Sequence, residues 1–232
     1  MTYVMSDIHG EYGKYLKMLD KIEFSDEDTL FIIGDTVDRG EEPIELLRDM
    51  SVRYNVYPIM GNHELMALEV LKPLATEVSE ENAERLIRTG VLEKLQFWMN
   101  EGGDTTLKGF RALSNDDRMA IIEYLEEFAP FETVKVNGNR FVLVHAGLGN
   151  YSPDKKLSEY SLEELAFMRP EPEDRYFEGQ NVTVIVGHTP TVAMWGKHEI
   201  YREEGLIDID CGAAFGGRLA CLCLDTMEEF YV

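Results

Sequence analysis

One stretch decides the fold of this chain: Leu30-Phe31-Ile32-Ile33-Gly34-Asp35-Thr36-Val37-Asp38-Arg39-Gly40. Its apolar half is typical of a buried strand, and its second half is a glycine turn that carries two aspartates and an arginine. Three other runs also place a metal-ligand side chain beside glycine after a strand-like stretch: Asp7-Ile8-His9-Gly10, Gly61-Asn62-His63-Glu64 and Gly187-His188-Thr189-Pro190. Strand ends of this kind can converge on one point, so the pattern predicts a metal site there.

The first third of the chain alternates between strand and helix patterns. Tyr3–Met5, Thr29–Ile33 and Val56–Met60 are predicted strands, and residues 11–22 and 43–53 have the apolar spacing of amphipathic helices. Repeated strand–helix–strand units favour a largely parallel central sheet with helices outside it.

The middle segment, at about residues 73–130, is rich in charged residues and helix formers. We predict helices at Glu80–Arg88, Leu92–Asn100 and Asp116–Phe128, with a turn at Glu101–Asp104. About sixty residues would make a weak core alone, so we expect a helical insertion packed over one side of the sheet. The prediction is a single domain over residues 1–232.

The last third of the chain has a β-rich pattern. Predicted strands lie at Phe131–Val136, Arg140–Val144, Val182–Val186, Leu206–Ile209, Leu219–Leu224 and Glu229–Val232, and the first two flank the hairpin signal Asn137-Gly138-Asn139. Tyr201–Gly205 and Asp225–Glu228 are predicted to be the tight turns of a meander. The predicted fold class is α/β (α+β), with two packed mixed β-sheets flanked by helices and one helical insertion.

The composition argues against several classes of partner. The net charge is -22, from 44 acidic and 22 basic residues, and such a surface repels nucleic acid and anionic membranes. The chain has no apolar run of membrane-spanning length, and because its first predicted strand begins so early, we expect no cleavable signal peptide. Cys211, Cys221 and Cys223 have neither a disulfide nor a zinc spacing, which favours the reducing cytoplasm, and Cys221 and Cys223 are expected on one face of a buried strand.

Six oxygen and nitrogen ligands stand at predicted strand ends: Asp7, His9, Asp35, Asn62, His145 and His188. This mixture suits manganese, iron or zinc and disfavours copper. Six ligands exceed one tetrahedral site, whereas two sites that share a carboxylate would use them all. A single histidine after a strand is more often structural, but four comparable sites in one chain favour metal binding. His198 lies in a polar stretch and is expected to be exposed.

These runs, with His145-Ala146-Gly147, resemble the ordered motifs of the calcineurin-like metallophosphoesterases. More narrowly, they are similar to the compact bacterial and phage branch of the PPP-type serine/threonine protein phosphatases, and the similarity extends from residue 2 to the end of the chain. The resemblance implies the metallophosphoesterase sandwich fold and two divalent transition-metal ions, with manganese as the best match and iron or zinc as alternatives. It places one metal on Asp7, His9 and Asp35, and the second on Asp35, Asn62, His145 and His188.

The resemblance also implies the chemistry. Two cations about 3.5–4 Å apart lower the pKa of a shared water, and the resulting hydroxide attacks phosphorus in line. His63 would be the general acid that protonates the leaving oxygen, with Asp38 holding its imidazole. Arg39 and Arg169 match the family's phosphate-binding arginines, whose forked donors meet two phosphate oxygens at once. One position departs from the pattern, because Met60 stands where the family's protein phosphatases usually carry arginine.

Three functions compete. The first is metal-dependent hydrolysis of phosphomonoesters, with phosphoserine or phosphothreonine in a protein or peptide as substrate. The second is hydrolysis of a dinucleoside tetraphosphate or another small phosphate. The related tetraphosphatases typically lack an aspartate at position 38 and end the Gly61 run in aspartate, so Asp38 and Glu64 favour the first function. The third is a catalytically silent metal-binding or interaction protein, which the full set of six ligand positions and His63 disfavours.

Overall fold

The computed structural model describes residues 1–75, 90–170 and 175–232. Within these ranges ten strands are present: β1 (Thr2–Met5), β2 (Thr29–Ile33), β3 (Val56–Ile59), β4 (Glu132–Val136), β5 (Asn139–Leu143), β6 (Val182–Val186), β7 (Tyr201–Glu203), β8 (Leu206–Asp208), β9 (Ala220–Cys223) and β10 (Glu229–Tyr231). They form two five-stranded sheets, in the orders β10-β9-β1-β2-β3 and β4-β5-β6-β8-β7. Both sheets are mixed, because β1, β2 and β3 are parallel to one another, as are β5, β6 and β8, while the remaining pairs are antiparallel: β1 with β9, β9 with β10, β4 with β5 and β7 with β8.

The same ranges contain eight α-helices: α1 (Tyr12–Lys21), α2 (Pro43–Ser51), α3 (Asn62–Leu74), α4 (Val91–Asn100), α5 (Asp104–Arg111), α6 (Asn115–Glu126), α7 (Leu162–Ala166) and α8 (Thr191–Trp195). Pro43 is the first residue of α2, where its missing N–H costs no helical hydrogen bond. None of the helices in the described ranges is long and apolar enough to span a membrane.

Side-chain alternation along the strands explains how the two sheets and the helices pack. In β2, Leu30 and Ile32 face the helices, while Phe31 and Ile33 face the second sheet. Successive residues of β2 therefore point into two different apolar layers, because side chains alternate between the two faces of a strand. Cys221 and Cys223 share the helix-facing side of β9, as predicted.

The helices α4, α5 and α6 pack on the same apolar cluster as the first sheet. Trp98, Phe110 and Leu125 from these helices are buried in the cluster that contains Leu30 and Ile32. The predicted helices at residues 92–100 and 116–128 are confirmed with small shifts in their bounds. The predicted helix at Glu80–Arg88 lies outside the described residues.

The predicted arrangement of two packed mixed sheets flanked by helices is confirmed. The prediction of a turn at Tyr201–Gly205 was wrong for its first three residues, which form β7 and pair antiparallel with β8. The reversal is made by Glu204 and Gly205 alone, and Gly205 has a φ of +78° that favours glycine. The predicted meander also does not hold, because β8 and β9 belong to different sheets.

Candidate metal centre

The predicted ligands lie in turns that follow five strands of the two sheets. Asp7, Asp35 and Asn62 come after β1, β2 and β3 of the first sheet, and His145 and His188 come after β5 and β6 of the second. Two contacts between the sheets bring these turns together. The ring nitrogen Nδ1 of His145 lies 2.8 Å from the carbonyl oxygen of Ile33, and the backbone N–H of His188 donates to Oδ2 of Asp7 over 3.0 Å.

The backbone of these turns is unusual at the ligand positions. Six non-glycine residues of the site have positive φ: Asp7 (52°), His9 (47°), Asp35 (53°), Asp38 (72°), Arg39 (65°) and His188 (68°). Such conformations are uncommon for residues with a Cβ, and they concentrate at functional sites because the surrounding structure must hold them.

Two positions beside the ligands require glycine because side-chain atoms of other turns lie too close for a Cβ. A Cβ on Gly187 would lie 2.2 Å from Oδ2 of Asp7, and a Cβ on Gly61 would lie 2.4 Å from Oδ1 of Asp35. Neither position has room for a side chain larger than hydrogen. Gly187 and Gly61 therefore precede His188 and Asn62 in the sequence because their backbones pack directly against the carboxylates of Asp7 and Asp35.

One group of possible metal ligands comprises His9, Asp35 and His63, whose ligand atoms all lie within 4.8 Å of one another. Nε2 of His9 lies 3.5 Å from Oδ2 of Asp35 and 3.9 Å from Oδ1 of Asp7. The other ring nitrogen of His9, Nδ1, lies 2.9 Å from the carbonyl oxygen of Val37, which fixes the ring and leaves Nε2 toward the carboxylates. Asp7 therefore stands close to this group.

A second group comprises Asp35, His145 and His188. Nε2 of His145 lies 3.3 Å from Oδ1 of Asp35 and 2.9 Å from Oδ1 of Asn62. Nδ1 of His188 lies 3.0 Å from the same amide oxygen of Asn62. Because Asp35 belongs to both groups, its carboxylate stands between them.

Burial and neighbouring charges set the protonation of these side chains. Burial lowers the pKa of His9 to about 3, and burial with the neighbouring His145 lowers the pKa of His188 to about 3. Burial alone would also lower the pKa of His145, but the Asp35 carboxylate raises it to about 10. Burial would raise the pKa of Asp35, yet His145 and His63 hold it well below its usual range. Asp35 is therefore ionised and His9 and His188 are neutral, which are the forms that bind metals, whereas His145 would have to release a proton on binding one.

A divalent metal fits this set of donors. Nε2 of His188 is buried and has no hydrogen-bond partner among the described residues. Nε2 of His145 and Nδ1 of His188 both face the amide oxygen of Asn62, and Nε2 of His145 also faces a carboxylate oxygen of Asp35. A buried cation would satisfy them, and oxygen with imidazole nitrogen is the donor set preferred by manganese, iron and zinc.

His63 and Asp38 form a fixed pair next to this centre. Nδ1 of His63 lies 2.6 Å from Oδ2 of Asp38, and both side chains are buried. Asp38 is itself held by Nε1 of Trp98 at 2.7 Å and by the hydroxyl of Thr106 at 2.7 Å. Burial alone would lower the pKa of His63, but Asp35 and Asp38 raise it, so the charged imidazolium is favoured.

Sequence reasoning missed the residues that hold these turns in place. The Glu64 carboxylate accepts hydrogen bonds from the backbone N–H groups of Asp35 (2.9 Å), Thr36 (2.7 Å) and Gly61 (2.9 Å). It thereby joins the turn after β2 to the first turn of α3. Trp98 and Thr106 were also missed as partners of Asp38, although they lie on either side of the predicted turn at Glu101–Asp104.

The centre opens into a cleft of about 260 Å³. The residues that line it are Asp35, Arg39, Asn62, His63, Met66, Phe97, Glu101, Phe167, Arg169 and His188. Nη1 of Arg39 contacts Nε2 of His9, and Nε of the exposed Arg169 donates to the hydroxyl of Thr189 over 2.8 Å. Both predicted arginines therefore border the same cleft as His63.

Two other positions singled out in the sequence are at least partly buried. His198 is half-buried rather than exposed, and its Nδ1 lies 2.9 Å from the carbonyl oxygen of Cys211. Met60 is only 5% exposed and belongs to the apolar cluster beneath the helices, so its side chain is not available to a substrate phosphate.

Comparisons with known proteins identify the family and the fold. Residues 2–217 match the family of calcineurin-like phosphoesterases. A symmetrical bis(5'-nucleosyl)-tetraphosphatase from Erwinia tasmaniensis is 32% identical over 100 residues, which are 42% of this chain and 36% of that protein. The matched region thus spans about a third of the length of such curated relatives.

Two solved structures share the fold over the whole chain. One, assigned provisionally as a diadenosine tetraphosphatase, has a TM-score of 0.66 at 19% identity and covers 100% of this chain and 92% of its own. A protein serine/threonine phosphatase from Saccharomyces cerevisiae has a TM-score of 0.58 at 15% identity and covers 100% of this chain and 79% of its own. With a family match from residue 2 to residue 217, this chain belongs to the calcineurin-like phosphoesterases.

Proposed function

We propose that this chain is a two-metal phosphatase that hydrolyses phosphomonoesters, with phosphoserine or phosphothreonine in a protein or peptide as its substrate. The buried His63–Asp38 pair, joined over 2.6 Å, is the observation that carries the proposal. The alkoxide of serine or threonine is a poor leaving group and needs a proton as it departs. A phosphoanhydride releases a much weaker base and depends far less on such an acid.

The proposed ligands are Asp7, His9 and Asp35 for one metal and Asp35, Asn62, His145 and His188 for the other. When bound, the two cations would supply a hydroxide nucleophile at neutral pH and polarise the phosphoryl oxygens. We propose manganese as the native metal, with iron or zinc as alternatives, because the donors are oxygens and imidazole nitrogens without thiolate.

His63 is the proposed proton donor, and Arg39 and Arg169 are the proposed phosphate-binding residues. Asp38 occupies Nδ1 of His63, so Nε2 is the atom that can give its proton to the leaving oxygen. Arg39 and Arg169 border the cleft and would bind the phosphoryl oxygens through their forked donors. His63 and both arginines line one cleft, which supports these proposed roles.

The second candidate is hydrolysis of a dinucleoside tetraphosphate or another small phosphate. It is favoured by the curated relatives, among them the Erwinia tasmaniensis tetraphosphatase. In the present chain Asp38 is hydrogen-bonded to the proposed acid, His63, and this pair favours esters with poor leaving groups over anhydrides.

We further propose a cytoplasmic enzyme of one domain, residues 1–232, with a helical insertion at about residues 73–130. The three buried free thiols, Cys211, Cys221 and Cys223, support a reducing compartment. The shared apolar cluster of α4, α5 and α6 with the first sheet supports one domain. The net charge of -22 disfavours nucleic acid and membranes as partners.

A metal-supplemented activity panel tests the proposal. It compares a phosphoserine peptide, a dinucleoside tetraphosphate and p-nitrophenyl phosphate with the same metal, for the native chain and for His63→Ala. We expect hydrolysis of the phosphopeptide, loss on chelation, and a larger effect of His63→Ala on the phosphopeptide than on p-nitrophenyl phosphate. Turnover of the tetraphosphate orders of magnitude above both esters would instead establish the second candidate.

A further inference from the structure

Phe215 lies on a short turn at the edge of the candidate active site. Its side chain is 57% exposed, although it is large and apolar. The ring nevertheless has a specific neighbour, because Cζ of Arg39 lies over it at 4.8 Å from the ring centroid. This distance is within the range of a cation–π contact, in which the negative face of the ring attracts the guanidinium.

The turn that carries Phe215 has little freedom. Residues 213–215 form one turn of 3₁₀ helix, and the glycines on either side, Gly212 and Gly216, have φ values of +73° and +76°. The backbone N–H groups of Phe215 and Gly217 both donate to the carbonyl oxygen of Gly212, each over 2.9 Å. A Cβ on Gly217 would lie 2.2 Å from the carbonyl oxygen of Cys211, so only glycine fits there.

A second contact fixes the turn to the rest of the fold. Nζ of Lys14, in α1, donates to the carbonyl oxygen of Ala213. The turn is therefore closed by its own hydrogen bonds and attached to a helix, so the backbone sets where the Phe215 ring is presented.

The Arg39 guanidinium has two other neighbours. Nη1 contacts Nε2 of His9, but this nitrogen is the atom with which His9 would bind a metal, so the contact would be lost in the metal-loaded enzyme. The side chain is 23% exposed, and its nearest carboxylate, Oε2 of Glu101, lies 4.0 Å from Nη2. An exposed ion pair at this distance constrains a flexible arginine only weakly. A ring face below the guanidinium fixes its plane and leaves the N–H donors at its edge free for phosphate oxygens.

We propose that Phe215 is a positioning residue for Arg39: the ring holds the guanidinium at the orientation in which it binds the substrate's phosphoryl group. The proposal rests on the proposed function in one respect, the role of Arg39 in binding phosphate. Phe215 itself need not touch the substrate.

A double-mutant cycle tests the proposal. Phe215→Leu keeps an apolar side chain but removes the ring, whereas Phe215→Tyr keeps the ring. We expect Phe215→Leu to raise KM for p-nitrophenyl phosphate and the inhibition constant for inorganic phosphate by about 3- to 10-fold, with kcat changed less, as loss of a cation–π contact predicts. Phe215→Tyr should stay within about 2-fold of the native values.

The cycle is completed in the Arg39→Ala background, where Phe215→Leu should add no further increase. Tyr54→Leu is the matched control, because Tyr54 is 70% exposed and its hydroxyl hydrogen-bonds to the carbonyl oxygen of Asp26 in a loop between α1 and β2. Full additivity of Phe215→Leu and Arg39→Ala, or an equal loss in Phe215→Tyr, would overturn the proposal. Unchanged phosphate binding in Arg39→Ala would instead remove the proposed role of Arg39, a separate outcome.

Discussion

Nε1 of Trp98 donates to the same Asp38 oxygen that faces His63, at 2.7 Å, so one carboxylate oxygen serves both rings. The Trp98 ring is fully buried, and it packs so closely on Gly103 that a Cβ there would lie 2.5 Å from the ring. The helical layer over the first sheet thus reaches the candidate acid directly. This contact makes the position of Asp38 depend on α4 as well as on its own turn.

Removing this donor should weaken the acid without removing it. Trp98→Phe keeps an aromatic side chain but leaves the Asp38 oxygen with His63 alone. We expect a kcat loss of about 3- to 10-fold with alkyl phosphates and a smaller loss with aryl phosphates, because only the former need a strong acid. The lost hydrogen bond and the smaller ring should also lower the free energy of unfolding by about 1–3 kcal/mol, measured by urea unfolding. Trp195→Phe, at an exposed position, is the control, and equal kcat losses for both ester classes would contradict a link to the acid.

His63 should matter most for poor leaving groups. We expect His63→Ala to slow alkyl phosphates by about 10²- to 10⁴-fold, the usual scale of general acid catalysis, and to affect esters of acidic phenols far less. The test measures kcat with one metal for a series of esters whose leaving groups differ in pKa, and compares its dependence on that pKa between the native chain and His63→Ala. If every ester loses activity equally, His63 has a positioning or structural role.

The pH profile should report the pairing of His63 with Asp38. The carboxylates of Asp35 and Asp38 raise the pKa of His63, so the protonated acid persists to higher pH than a free imidazole and activity falls as pH rises through that raised pKa. Asp38→Asn removes one of these charges and should shift the alkaline limb of kcat to lower pH. Phosphopeptide hydrolysis measured across the alkaline range tests this, and an unshifted limb would show that another group controls it.

Metal content should separate the two proposed sites. Asp35 stands between both ligand groups, whereas His9 belongs only to the first. We therefore expect two metals per native chain, about one after His9→Ala, and fewer than one after Asp35→Asn, measured by elemental analysis after reconstitution. His198→Ala should retain both metals, since His198 lies outside both groups. At most one metal in fully active native protein would rule out the two-metal scheme.

The acidic surface should shape the choice among phosphopeptides. A net charge of -22 repels acidic sequences at long range, and salt screens that repulsion over about 10 Å at 0.1 M. We expect higher kcat/KM for phosphopeptides flanked by lysine or arginine than for those flanked by aspartate or glutamate. The difference should narrow as ionic strength rises, and a difference independent of salt would point to direct contacts.

The sequence predicted the fold and the meeting of the strand-end turns because both depend on local patterns. Apolar runs ending beside glycine predict strands that stop at a common edge, and Asp7, Asp35 and His145 do meet there. The support for Asp38 could not be predicted in this way. Trp98 and Thr106 lie 60 and 68 residues from Asp38 in the chain, and neither carries a local signal of that contact. The edge strand Tyr201–Glu203 was missed because three polar-rich residues beside a glycine turn have too little pattern to distinguish strand from turn.

The two sheets contribute equally to the proposed second metal site. Asp35 and Asn62 come from the first sheet, and His145 and His188 from the second. On that assignment the ion also joins the two sheets of the sandwich, and its binding free energy adds to the free energy of unfolding. A shortage of metal in the cell would then lower both the activity and the amount of this protein, because the loosened chain is exposed to proteases.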